Sequence, residues 1–139
     1  MLVHTQPYAG TGDELFETAR CNSCHVREWT TAEQADPAFL SGRTIYPFTD
    51  MLLHDMGPGL ADDYAPGNAE GREWRTAPLW GIGRTAEVEG RESYLHDGRA
   101  RSLTEAILWH GGEAEASAQA FRAMTEQDRS ALLEYLRSL

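Results

Sequence analysis

The chain has 139 residues with 12 basic and 22 acidic side chains, a net charge of −10. That acidity argues against nucleic acid as a partner, because a phosphate backbone asks for a basic face. No apolar run approaches the roughly 18 residues a membrane-crossing helix needs, and the length suits one domain, residues 1–139, with room for a core.

Residues 1–10 read as an irregular lead-in with Pro7 and Gly10, with neither a basic start nor the apolar block of a signal peptide. A helix is expected next. Thr11 or Asp13 can cap it, Asp13 and Glu14 suit its first turn, and Leu15, Phe16 and Ala19 form an apolar face. Cys21-Asn22-Ser23-Cys24-His25 follows directly, and it holds the chain's two cysteines. In a C-x-x-C-H run the two thiols add across the vinyl groups of a haem, and the adjacent His becomes a ligand of its iron. Three rival readings carry less. A Cys21–Cys24 disulfide leaves the His unexplained. A zinc site of both thiols, His25 and one of His4, His54, His96 or His110 lacks a second ligand pair at the usual spacing. A thioredoxin-like redox pair needs a βαβ setting. Attachment of haem to such a run generally takes place outside the bacterial cytoplasm. The chain is therefore expected to be periplasmic or otherwise exported, its signal removed or borne by a longer precursor.

The delivery of C-x-x-C-H by a helix resembles the first helix of class I cytochromes c. That likeness implies that the Pro37 carbonyl accepts the Nδ1–H of His25; as a plain loop residue Pro37 is equally well explained. Residues 42–48 read as a short extended piece. In the stretch 49–60, Thr49 or Asp50 can cap a short helix that Gly57-Pro58 ends. This stretch offers three candidates for the other face of the iron. Met56 is preferred because it lies where helix gives way to loop; His54 and Met51 are the others, each with an ordinary role as a hydrogen-bonded or core residue.

Residues 61–73 are polar and read as a surface loop containing Pro66 and Gly67. In 73–83, Trp74 and Trp80 are large enough to wall a porphyrin, and Arg75, with Arg43, is a candidate donor to haem propionates, against the plain reading of surface ion pairs. Residues 84–93 read as polar loop, and Asp97-Gly98 as a turn. His96 reads as a turn residue bonded across that loop. Ser102-x-x-Glu105 is a capping box that opens a helix, and Gly111-Gly112 stops it. A helix over about 113–123 should place Ala116, Ala120, Phe121 and Met124 on one side. Thr125-x-x-Asp128 opens a last helix whose Leu132, Leu133, Tyr135, Leu136 and Leu139 should pack on the first.

Four stretches together are similar to the C-terminal cytochrome c domain of bacterial di-haem peroxidase-like proteins, also called thiol oxidoreductases: residues 21–25, 49–62, 73–81 and 94–112. The family is related to bacterial cytochrome c peroxidases. The resemblance implies an all-α, class I cytochrome c-like domain around one covalent haem c and its iron, with long loops and at most a short hairpin. It also implies the electron-transfer half of such proteins, possessing one C-x-x-C-H where the family has two, with a second haem domain upstream as a partner.

The expected function is therefore that of a monohaem cytochrome moving one electron at a time through a His25/Met56-ligated iron, with Cys21, Cys24, Pro37, Arg75 and Trp80 also about the haem and a redox protein as partner. The alternative is a peroxidase-like oxidoreductase with an open or displaceable sixth position. It would use an acid or base from His54, His96 or Glu113, and Trp74, Trp80 or Trp109 as relays. No output module supports a haem-based sensor.

Overall fold

The computed structural model describes residues 11–34, 36–64 and 67–139. The expected lead-in over 1–10, including His4, and the loop position Pro66 lie outside the described residues.

Two helices from opposite ends of the chain make the scaffold. Helix α1 (Thr11–Thr18) buries Phe16, and the 13-residue C-terminal helix, α5 here (Glu126–Ser138), buries Leu132, Tyr135 and Leu136. Thr125 caps α5 as its sequence implies, accepting from the Asp128 N–H at 3.2 Å and donating to the Asp128 carboxylate at 2.7 Å. Gly12 allows the two backbones to meet: a Cβ there would stand 2.6 Å from the Ala131 carbonyl oxygen. Phe16, Phe48 and Tyr135 then meet edge-on at the centre of the core, with centroids 5.6–6.5 Å apart.

Between these helices lie α2 (Thr85–Glu89), α3 (Leu103–Leu108) and α4 (Glu115–Ala123). Ser102 accepts from the Glu105 N–H and starts α3 as expected. Helix α2 stands where polar composition suggested a loop; five residues closed by Gly90 at φ 75° are too short to show a period. Helix α4 buries Ala118 and Phe121, while Ala116 is exposed. Of the face expected from the sequence, Phe121 is buried, Met124 packs against the core and Ala120 is partly buried; only Ala116 departs from it, with Ala118 buried instead.

The expectation of an all-α, class I cytochrome c-like domain is corrected by two separate two-stranded antiparallel sheets, the described residues being 44% helical and 10% strand. Strand β1 (Trp29–Thr30) pairs with β2 (Thr44–Ile45), setting Trp29 opposite Ile45. Strand β3 (Leu53–Asp55) pairs with β4 (Glu73–Arg75), setting Leu53, His54 and Asp55 opposite Arg75, Trp74 and Glu73. The second sheet replaces the helix expected between residues 49 and 57. The supposed capping residues instead close tight turns. Thr49 Oγ1 accepts from the Met51 N–H, and Asp50 Oδ1 from the Leu52 N–H, each at 2.9 Å. Met51 adopts φ 63°, which ends any helix there.

Candidate functional site

The C-x-x-C-H run sits at the end of α1. Arg20 turns the chain through φ 62°, and Cys21–Ser23 form one 3-10 turn. The His25 N–H closes on the Cys21 carbonyl at 2.9 Å, so both sulfurs and the imidazole hang from one compact loop. Both cysteines are free thiols. Burial pushes the Cys21 thiol up to about 11. Burial, and then the negative charges of Asp50 and Glu113, push Cys24 up as well. Neither sulfur is thus predisposed to thiolate chemistry at neutral pH.

His25 is oriented by one strong contact. Its Nδ1 lies 3.0 Å from the Phe48 carbonyl oxygen, and because a carbonyl only accepts, Nδ1 carries the proton and Nε2 the lone pair. Desolvation pulls its pKa down to about 4, against the Phe48 bond, with the nearby imidazole of His110 pulling the same way. His25 is therefore a neutral imidazole, the form that binds metal. The carbonyl implied by the cytochrome likeness was that of Pro37, but Pro37 accepts from the Leu40 N–H at 3.0 Å. Phe48, anchored in the core by its ring and following Pro47, takes that role; only the folded chain brings it within reach, 23 residues on from His25.

His54 is held from both sides. Its Nε2 meets the Asp50 carboxylate at 2.8 Å and its Nδ1 the Glu113 carboxylate at 2.9 Å. Both nitrogens therefore donate. The bond to Glu113, opposed by desolvation and joined by that to Asp50, raises the His54 pKa. The Glu113 carboxyl is held below its ordinary value first by His54 and then by the Asp55 N–H. An imidazolium clasped in this way has no lone pair for a metal, which sets His54 aside as an iron ligand in this arrangement. Cys24, Asp50 and His54 bring ligand atoms within 4.8 Å of one another. The zinc reading of the sequence took both thiols, His25 and one further His, with His54 among the choices; the group the fold assembles holds Cys24 and His54 with Asp50, without Cys21 or His25.

Met56 follows β3, with its N–H on the Arg72 carbonyl at 2.9 Å and its side chain partly buried. Its carbonyl packs against Gly111: a Cβ on Gly111 would lie 3.0 Å from it. The neighbour of that glycine is His110, for which the sequence suggests no role beyond that of a possible zinc ligand. His110 sits just past α3 with its Nδ1 2.8 Å from the Ala106 carbonyl, and desolvation lowers its pKa. Its sequence signal was slight, a lone His before Gly-Gly.

The remaining candidates are spread more widely. Trp80 and Met51 are 54% and 57% exposed. The Arg75 guanidinium reaches the Thr76 carbonyl at 3.5 Å, and Arg43 Nε donates to the Phe39 carbonyl at 3.1 Å. Trp74 donates to the Leu60 carbonyl and stacks flat on His96, centroids 3.5 Å apart, so the His96 ring packs on an indole rather than across the turn. Trp109 lies under Arg99 at 4.9 Å. Beside the site, Trp29, Ile45, Asp50 and Met51 line an open hollow of about 290 Å³. Next to it, Met51, Leu52 and Leu53 are all more than half exposed.

This arrangement fits haem. Two unbridged thiols and a neutral imidazole with its Nε2 lone pair share one turn, next to apolar side chains that the fold leaves uncovered. The class defined is a haem-based redox protein. Residues 5–139 match the family model described as di-haem oxidoreductase, whose description also names peroxidase, and the chain belongs to that family. The resemblance drawn from the motifs is thereby borne out. No curated protein and no solved structure matches the chain.

Proposed function

We propose that this chain carries single electrons through one haem, fixed by thioether bonds to Cys21 and Cys24, with His25 as an axial ligand. The observation that carries this reading is the Nδ1–H bond from His25 to the Phe48 carbonyl, which selects the tautomer, aims the ring and strengthens Nε2 as a donor. Bound haem supplies a ferric–ferrous couple. The protein's part is to hold that couple rigidly: Phe48 ties His25 to the aromatic core, and Asp50 N–H, bonded to the Cys24 carbonyl at 2.8 Å, ties the cysteine loop to the segment before β3. Arg75 is the candidate to meet a propionate and Trp80 to flank the ring. Met56 and His110 are the candidates to give a bound iron its second protein ligand, and either would then exclude exogenous ligands.

A protein partner of complementary, basic surface follows from the charge of −10. One C-x-x-C-H in a di-haem family points to a second haem domain as another partner, and covalent haem attachment to an exported protein. Among the described residues no helix is long and apolar enough to cross a membrane.

The family description also favours a peroxide-reducing role. Peroxide takes two electrons and one such haem moves one, so in that setting this chain is the electron-supplying half. The protonated His54 between Asp50 and Glu113 is the available acid if the iron face opens.

The test is the chain matured in a host that attaches c-type haem. Intact mass shows one haem added, and potentiometric titration shows a single one-electron wave. A colourless product, or cysteines joined to each other, defeats the proposal. Turnover of peroxide by the isolated chain would favour the second reading.

A further inference from the structure

The described histidines fall into two kinds. His54 has both nitrogens on carboxylates, and His96 lies flat on Trp74 with its Nε2 facing Asp62 and Asp97 at about 4 Å. His25 and His110 share another pattern: each donates Nδ1–H to a backbone carbonyl, at 3.0 Å and 2.8 Å, and so presents Nε2 as a lone pair. Both residues are partly buried. A hydrogen bond from a His back to the last turn of a helix is common in itself. What sets His110 apart is its place: Glu113, three residues on, bonds His54 at 2.9 Å, His54 bonds Asp50 at 2.8 Å, and the Asp50 N–H bonds the Cys24 carbonyl at 2.8 Å, so the His110 segment is tied to the loop that carries two free thiols.

The backbone around His110 is pinned. Its N–H bonds the Ile107 carbonyl at 3.1 Å, and the Ala114 N–H bonds Gly111 at 3.0 Å. Gly112, at φ 54°, lets the chain lie against β3, since a Cβ there would be 2.1 Å from the Asp55 carbonyl oxygen. Met56 meets the same segment through its backbone, which makes it a wall of the same space.

We propose that His110, through Nε2, is the second protein ligand of the iron, opposite His25, with Met56 packing beside it. This rests on the haem reading above and assigns the axial position which that reading leaves between two residues. Bis-histidine ligation lowers the potential relative to a His/Met pair.

The experiment uses the matured chain and three variants. The wild type is expected to lack the weak far-red band of thioether-bound ferric haem, and once reduced to resist carbon monoxide. His110→Ala should keep covalent haem, lose the low-spin spectrum and bind carbon monoxide. His110→Met should gain the far-red band and a higher potential, a swap of donor that a merely structural residue would not produce. Met56→Leu should keep the low-spin spectrum without a far-red band and the resistance to carbon monoxide. If His110→Ala does not fold, His110→Met and Met56→Leu still decide. A far-red band in the wild type that Met56→Leu abolishes overturns the assignment and leaves the electron-carrier reading intact. A wild type that binds carbon monoxide readily overturns both.

Discussion

The two sides of this molecule are finished to different degrees. Where α1 meets α5, Phe16, Leu132 and the Phe48 and Tyr135 rings are buried in contact with one another, and the backbones touch at Gly12. Across the cysteine loop, Met51, Leu52 and Leu53 stand more than half exposed in succession, beside the half-exposed Trp29 and Tyr46. The first region stabilises itself by burial. The second keeps its apolar surface open, and what organises it is polar: two carboxylates on His54, a carbonyl on each of His25 and His110. The contrast teaches that the helix pair is a platform and the other side is shaped to receive something.

If that division is right, the largest effect comes from Cys21→Ser with Cys24→Ser. All covalent haem is lost by intact mass, while far-ultraviolet circular dichroism keeps the helical signal of α1 and α5. Collapse of that signal would mean the platform depends on the cofactor. Phe16→Ala strikes the other side. Removing a buried aromatic ring from the core costs about 3–5 kcal/mol, read as a lowered Tm, with the haem spectrum unchanged wherever the variant is folded. Gly12→Ala forces a methyl against Ala131 and should cost about 1–3 kcal/mol by the same measurement. A neutral result would show that the helices can separate freely.

The smallest effect is a pH dependence on the open side. The folded pKa of His54 is raised above its ordinary 6.5 by Glu113 and Asp50. The protonated ring is the one that is bonded, so its stabilisation is fully present below that value and is lost as pH rises through the folded pKa. Urea midpoints of the matured protein should therefore fall on that alkaline side, and His54→Gln should flatten the decline. A decline unchanged in the variant would place its origin elsewhere.

How far the sequence could be read tracks how local each interaction is. Ser102 with Glu105 and Thr125 with Asp128 are three residues apart, and both helix starts were legible. The same kind of signal misled at Thr49 and Asp50, because a side chain that can cap a helix can equally close a turn. What decided between them was β4, about 20 residues away, which pairs with Leu53–Asp55 and draws the stretch into a strand.

The site divides in the same way. Cys21, Cys24 and His25 are covalent neighbours whose chemistry is fixed by spacing, so residue order alone determined that the chain offers a haem attachment run. Which carbonyl aims His25, which carboxylates clasp His54, and that the segment carrying His110 reaches the cysteine loop of His25 were decided by the tertiary structure. Phe48, Glu113 and His110 lie 23, 59 and 85 residues from their partners, counted along the chain. The physical reason is that hydrogen-bond direction and desolvation act through space over a few ångströms, and spacing along a chain carries that information only within a turn or two.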